Sequence, residues 1–485
     1  MGSCRRVVLV VCAMVLAAVA AGCGASAAGP SLADRRARQE ALRHSAAAEV
    51  YEACKDSVVG IAVRRRDETK PNVTHSEQAS GVILDDTGYV ITNAHALRYG
   101  GRPFIRFSDG REFPAHVVAV DESRDLAVLK MHPTQPLKPV MLGRSRDLMV
   151  GEPVVAMGSP FGMGMTVAQG IVSAMGRATK SEFTFYPDMI QTDASINPGS
   201  SGGALLNVHG ELVGINTTKK READNISFVI PVDRVRAALP DVLDPEGRGG
   251  FSLGIQVGMD GPAEVTAVAK GSPAEAAGVW PGDLVFGVGK TPVVRGLDFY
   301  LALLDVKGGQ PLLLRLVRKG QTIEVTAMLA KVEPRAADSP AGAAPGLVCE
   351  FYEGRWDRLP DFATLQPKAT TRVEMFSLGQ YKDRDHFALR LTGYVDVPAD
   401  GHYAFFAAAD DGCRLFIGDR LVVDNDGPHY LMEKRGYIPL KAGKHAITVL
   451  YFDRTETDEL KVSWEGPGIK KQPIPATALS APAGK

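Results

Sequence analysis

The chain has 485 residues, 45% of them hydrophobic and 23% charged, with a formal net charge of -1. That length exceeds what one hydrophobic core organises, so three or four globular domains are expected. The charge balance excludes bulk attraction to nucleic acid or to an anionic surface, and 51 glycines favour turn-rich β domains over helical bundles.

At the N-terminus, Arg5-Arg6 precede an apolar run from Val7 to Ala21. The run is too short and too alanine-rich for a membrane span, so residues 1–27 read as an export signal. Ala20-Ala21-Gly22-Cys23 resembles a bacterial lipoprotein cleavage box, with Cys23 to be lipidated and alanine where leucine is usual. Ordinary signal-peptidase cleavage near Ala25-Ser26-Ala27 is the alternative. Both imply an exported protein of the bacterial periplasm or cell envelope. Of six cysteines, Cys4 and Cys12 lie in the leader and Cys23 is the lipidation candidate. Cys54, Cys349 and Cys413 are too scattered for a disulfide framework or a metal motif. A Cys349–Cys413 bridge and two buried thiols both remain open.

Residues 28–55, rich in Ala, Arg and Glu, read as a polar helix or linker. From Ser57 the pattern becomes strand-like, beginning with Val58-Val59-Gly60-Ile61-Ala62-Val63. A polar loop from Arg64 to Gln78 is followed by Gly81–Leu84, the turn Asp85-Asp86-Thr87-Gly88, and Tyr89–Thr92. Two short apolar runs about an Asp/Gly turn predict a hairpin. Further strands are expected over Pro103–Phe107, Glu112–Val120, Leu126–Met131 and Val154–Met157. Helical periodicity is almost absent, and the rhythm fits β-barrels over residues 56–245.

Within this region lies Asn197-Pro198-Gly199-Ser200-Ser201-Gly202-Gly203-Ala204-Leu205. Glycines let such a loop bend sharply and expose one hydroxyl. They also let backbone N–H groups converge where an oxyanion would develop. Most Gly/Ser loops are only turns, so the serine needs partners. His95 follows the hairpin's second strand in Thr92-Asn93-Ala94-His95, and Asp125 opens Asp125-Leu126-Ala127-Val128-Leu129. A serine hydroxyl is a weak nucleophile, so an imidazole must take its proton. A carboxylate fixes the imidazole's tautomer. The order His, Asp, Ser is the chymotrypsin-type order.

Together with Gly158-Ser159-Pro160-Phe161-Gly162, Gly170-Ile171-Val172-Ser173, Gln191-Thr192-Asp193-Ala194, Gly214-Ile215-Asn216-Thr217 and Ile226–Pro231, these motifs resemble the HtrA/Deg family of trimeric serine proteases. The resemblance implies a chymotrypsin-like double β-barrel, with His95 as base, Asp125 as orienter and Ser201 as nucleophile. The Gly199 and Ser201 N–H groups would form the oxyanion hole. Ser200 stands where asparagine is usual and Ala204 where proline is common, and neither change removes a catalytic group. The short loop from Arg64 to Gln78 speaks against the large caged oligomers of some relatives. In chymotrypsin-like enzymes the residue six before the nucleophile floors the specificity pocket, here Ser195. With no buried charge there, and with Ile226 and Phe228 nearby, cleavage after small or medium aliphatic residues is expected. Asp193 is the rival pocket residue, and in this family that aspartate is structural.

Residues 250–331 contain Ser252-Leu253-Gly254-Ile255, Gly271-Ser272-Pro273-Ala274-Glu275-Ala276-Ala277-Gly278 and Pro281-Gly282-Asp283-Leu284. They resemble a PDZ domain, which binds peptides or C-termini by adding them to a sheet edge and capturing the carboxylate on backbone N–H groups. By resemblance, Ser252 to Gly254 form the capture loop and Ile255 starts the paired strand. Residues 332–345, rich in Pro, Ala and Gly, read as a flexible linker. Residues 346–480 carry aromatic-rich strands with Glu350–Gly354, Asp410-Asp411-Gly412-Cys413 and Gly466-Pro467-Gly468. They resemble the protective-antigen-type, lectin-like β-sandwich. Some members bind carbohydrate through calcium held by two adjacent aspartates, a position matched by Asp410 and Asp411; paired carboxylates suit that hard cation.

The expectation is therefore a mainly β, exported serine endopeptidase acting on unfolded envelope polypeptides, with no cofactor for catalysis and a homotrimeric assembly. The competing expectation is a PDZ and lectin-like binding scaffold whose proteolysis is weak or latent.

Overall fold

The computed structural model describes residues 31, 45–66, 74–98, 101–159, 162–180, 185–219, 225–340, 342–382, 384–427, 431–454 and 459–482. The export segment with Cys23, and Pro160-Phe161 of the motif above, lie outside the described residues. Helix α1 (Ala46–Cys54) is capped by the Ser45 hydroxyl, which accepts from Ala48 N at 3.2 Å. It buries Val50 and Cys54.

Six strands follow: β1 (Val58–Arg66), β2 (Thr74–Ile83), β3 (Tyr89–Thr92), β4 (Arg102–Arg106), β5 (Glu112–Asp121) and β6 (Leu126–Met131). They close as a barrel in the order β1-β2-β3-β6-β5-β4 because β1 pairs with both β2 and β4. The β2–β3 hairpin turns on Asp85, whose Oδ1 accepts from Gly88 N (3.0 Å) and Tyr89 N (2.8 Å), an Asx-type turn. Inward residues such as Ile61, Ile83, Val90, Ile105 and Leu129 fill the interior. The stretch expected as a polar loop from Arg64 is partly strand: Arg64 pairs with Ser76, and Arg66 with Thr74.

The second barrel comprises β7 (Met141–Leu142), β8 (Pro153–Gly158), β9 (Thr166–Lys180), β10 (Phe185–Thr192), β11 (Ala204–Leu206), β12 (Glu211–Lys219) and β13 (Ser227–Pro231). The ring β11-β8-β9-β10-β13-β12 closes through the β11–β12 pairing, and β7 adds to β12 in parallel. Helix α2 (Val232–Leu243), absent from the sequence expectations, follows at once. Its buried Val235, Ala238, Leu239 and Val242 recur at three- and four-residue spacing, which makes one apolar stripe. That stripe joins one core with Met157 and Ile230 of the barrel and with Leu297 and Leu301 further along the chain.

After α3 (Pro245–Gly249), Phe251–Ser252 pairs with Ala330–Lys331, and Ile255–Val257 pairs with Val265–Val268. A four-stranded sheet spans Leu284 to Met328, and helix α4 (Gly296–Leu303) carries the Leu297 and Leu301 that reach α2. Arg295 Nη2 also donates to Leu84 O of the first barrel at 2.9 Å.

The last region is two facing sheets around Tyr403, Phe405, Tyr451 and Trp464. The expected flexible linker is instead tied to it. Arg335 N donates to Pro439 O (2.9 Å), Asp338 N to Lys444 O (2.7 Å), and Ala343–Pro345 pairs with Leu479–Pro482. Cys349 and Cys413 form no bridge: both are free and buried. Burial pushes their thiols up, to about 11 and about 12.

Candidate active site

His95 sits in the short helical turn Ala94–Leu97 that follows β3. Asp125 occupies the turn into β6, 2% exposed and in the left-handed region at φ 52°. His95 N donates to Asp125 Oδ1 at 2.9 Å, and Nδ1 lies 3.0 Å from Oδ1 and 2.9 Å from Oδ2. A carboxylate only accepts, so the contact assigns the proton to Nδ1 and leaves the Nε2 lone pair outward. Two groups that the sequence reading passed over hold Asp125 in place, one at its carboxylate and one at its backbone carbonyl. Tyr186 Oη of β10 donates to Asp125 Oδ2 at 2.8 Å, and Asn93 Nδ2 donates to Asp125 O at 3.0 Å. Asn93 belongs to a motif already noted; nothing about Tyr186 marks it before the barrels are assembled.

The loop bearing Ser201 is wedged between the barrels. Ser80 N donates to Ser201 O (2.8 Å), Ser80 Oγ to Gly199 O (2.7 Å), and Gly202 N to Asn216 O (2.7 Å). Gly202 has φ 84°, and a Cβ there would collide with Ser80 O and Thr92 Oγ1. Only glycine permits both the angle and the approach. The loop therefore lies against Thr92-Asn93, the stretch that opens the His95 turn. Asn93 Nδ2 also reaches Thr217 Oγ1 at 3.3 Å, and Ser201 Oγ donates to Thr217 O at 2.8 Å. Among the described residues no hydrogen bond joins Ser201 to His95, and the N–H groups of Gly199 and Ser201 have no protein partner. Resting hydrogen bonds of this type often form only with substrate in place.

Ser195, Asn197 and Ser200 line a cavity of about 290 Å³ with Val167, Ala168 and Asn216. Ile226 and Phe228 are not part of that lining; both pack against the inter-barrel core. Asp193 Oδ1 accepts from Ile171 N at 2.7 Å, a tie to β9. In the region after α3, Ser252 is paired to Ala330, while Leu253 and Ile255 are buried. The N–H groups of Leu253 and Gly254 are both engaged by Glu246, at 3.1 Å each.

Asp410 and Asp411 are buried. Asp411 Oδ2 accepts from Arg454 N at 2.7 Å, and Asp410 O accepts from Tyr451 Oη at 2.6 Å. Among the described residues no three His, Cys, Asp or Glu side chains come together as a metal site. A calcium ion takes six to eight oxygens, backbone carbonyls and waters among them; Asp410 and Asp411 would supply two, and no step of the reaction is routed through it.

A trypsin-like peptidase domain model matches residues 79–215, a PDZ domain model residues 264–318, and a PA14 domain model residues 344–478. A probable periplasmic serine endoprotease DegP-like of Hahella chejuensis is 36% identical over 58% of this chain and 63% of its own length. The chain thus spans less than two thirds of that relative. The putative serine protease HhoA of Synechocystis sp. is 35% identical over 53% of this chain and 71% of its own. A serine endoprotease of known structure from Yersinia pestis is 31% identical, covering 60% of this chain and 98% of that one, with a TM-score of 0.36.

Proposed function

This chain belongs to the HtrA/Deg family of serine proteases, and on that premise we propose that it is an exported serine endopeptidase that cuts misfolded or unfolded envelope polypeptides. The observation that carries the reading is the His95–Asp125 pair, fixed from two barrels and set beside the Ser201 loop. In this mechanism Ser201 Oγ leaves Thr217 O by rotation about its Cα–Cβ bond and attacks the scissile carbonyl. His95 Nε2 takes the hydroxyl proton and returns it to the leaving amine. Asp125 holds the ring and stabilises the imidazolium. The N–H groups of Gly199 and Ser201 receive the oxyanion. Water then hydrolyses the acyl-enzyme with His95 again as base. No cofactor takes part.

Cleavage after small or medium aliphatic residues belongs to the same proposal, as does assembly as a homotrimer. Residues 250–331 would bind peptides or C-termini, residues 346–480 would hold envelope carbohydrate, and lipidation of Cys23 would anchor the chain. One observation favours the alternative of a binding scaffold with latent proteolysis: the Ser201 hydroxyl is committed to Thr217 O. Casein hydrolysis beside a Ser201→Ala control separates the two. The proposal expects turnover that the substitution abolishes. Equal turnover by both proteins removes the mechanism, and none by either favours the scaffold.

A further inference from the structure

The loop after α3 already holds a carboxylate, and it is the chain's own. Glu246 Oε2 accepts from Leu253 N and Oε1 from Gly254 N, both at 3.1 Å. Two adjacent N–H groups converge because Gly254 adopts φ 79°, where a Cβ would strike Ser272 Cβ. Converging N–H groups of this kind form an anion-binding concavity. Burial pushes the Glu246 carboxyl up, against the pull of the two N–H groups, so the seat is not costless for a side-chain carboxylate.

Beside this loop lies a strand edge whose Val257 N donates to Tyr300 Oη at 3.4 Å. Ile255–Val257 pairs on one side with Val265–Val268, and the described residues place no strand on its other side. The edge faces a cavity of about 730 Å³ that Glu246 helps to line. Ile255, Val257, Tyr300 and Leu303 give that cavity an apolar wall. Glu433, Lys434 and Arg435 of the C-terminal sandwich give it a charged wall, and Asp121 and Arg124 of the first barrel also line it. The wall is anchored: Arg435 Nη1 donates to Val120 O at 3.1 Å, Arg435 Nη2 to Val242 O, and Ser123 Oγ to Glu433 O at 3.1 Å. Three domains thus enclose one groove, and its carboxylate seat is filled from within.

We propose that Glu246 is an internal stand-in for a polypeptide C-terminal carboxylate, and that an extended ligand with a free C-terminus and an apolar last side chain enters the three-domain cavity only by displacing it. This rests on reading residues 250–331 as a peptide-binding module. Displacement frees α3, the short segment between α2 and the loop, and so links occupancy of the groove to the helix packed on the protease barrels. A competing internal ligand lowers apparent affinity by the fraction of time the seat is empty.

The test uses the full chain carrying Ser201→Ala, so that the probe is not cut. The probe is a short fluorescein-labelled peptide ending in a free valine carboxylate, beside the same peptide as its C-terminal amide, read by fluorescence anisotropy. Adding Glu246→Ala or Glu246→Gln is expected to tighten binding of the acid peptide about tenfold and to leave the amide weak. No gain, or an equal gain for the amide, overturns the proposal. If Glu246→Ala fails to fold, Glu246→Gln keeps the volume. Hydrogen exchange on the chain with native Glu246 gives an independent reading: excess acid peptide must speed exchange over Pro245–Gly249, and unchanged protection overturns the proposal. Casein hydrolysis by the Ser201 chain reports separately on the protease reading, so either can fail alone.

Discussion

Asp125 illustrates how much of the site one residue position organises. Its left-handed backbone aims the carboxylate back at His95, and it accepts from an imidazole, a backbone N–H and a phenol. The Tyr186 contact crosses from one barrel to the other, so it couples ring orientation to barrel docking. Tyr186→Phe removes one hydrogen bond to a charged acceptor while keeping the ring, a loss of about 1–2 kcal/mol. The expected outcome is a fall in kcat/KM of roughly tenfold, mostly in kcat; an unchanged rate would mean that the phenol does not position the pair. His95, Asp125 and Ser201 could be picked out in the sequence because each sits in a short motif and their order is informative. Tyr186 could not, because its partner is 61 residues away and only barrel closure brings them together. Ile226 and Phe228, expected near the pocket, pack against the inter-barrel core and are not among the residues that line the cavity beside Ser195.

At the scale of elements, strands were legible where apolar and polar residues alternate, as in β5, and where an Asp/Gly turn joins two apolar runs, as at Asp85. Helix α2 is hard to read in the sequence because Pro240 stands inside it, and proline ordinarily breaks or kinks a helix. The linker was misread because Pro, Ala and Gly do not reveal that Arg335 and Asp338 pair with each other and dock on the sandwich. A second ion pair, buried on its carboxylate side, sets the sheet after α3. Arg318 Nε and Nη2 each donate to Asp283 at 2.7 Å, and Trp280 N adds a third bond at 2.8 Å. Burial would raise the Asp283 carboxyl, but these donors win and hold it below its ordinary range. A carboxyl depressed in the folded state stabilises above its unfolded value of about 3.9, and that stabilisation drains away as pH falls through the depressed value. Asp283→Asn should therefore cost about 1–2 kcal/mol at neutral pH, measured by denaturant melts. The gap from wild type should narrow as the pH drops below about 4. A gap independent of pH would show that the ion pair is not its source.

Across the whole molecule, the three recognisable regions share surfaces. Leu297 and Leu301 complete a core with α2, Arg295 reaches Leu84, and Arg435 of the sandwich holds carbonyls of both the first barrel and α2. None of this was readable from sequence, since contacts between domains leave no local period. Arg435→Ala deletes donors to Val120, Asp241 and Val242, a loss of about 1–3 kcal/mol of docking. Amide exchange over Asp241–Gly250 should rise about tenfold or more while the barrel strands stay protected; unchanged exchange would mean that the sandwich is held elsewhere. The central claim, that His95, Asp125 and Ser201 act as one unit, is tested most directly by fluorophosphonate labelling of the full chain with the modified residue mapped by mass spectrometry. The expected result is a single adduct on Ser201, lost with His95→Ala. Labelling on another serine, or labelling of Ser201 indifferent to the loss of His95, would contradict it.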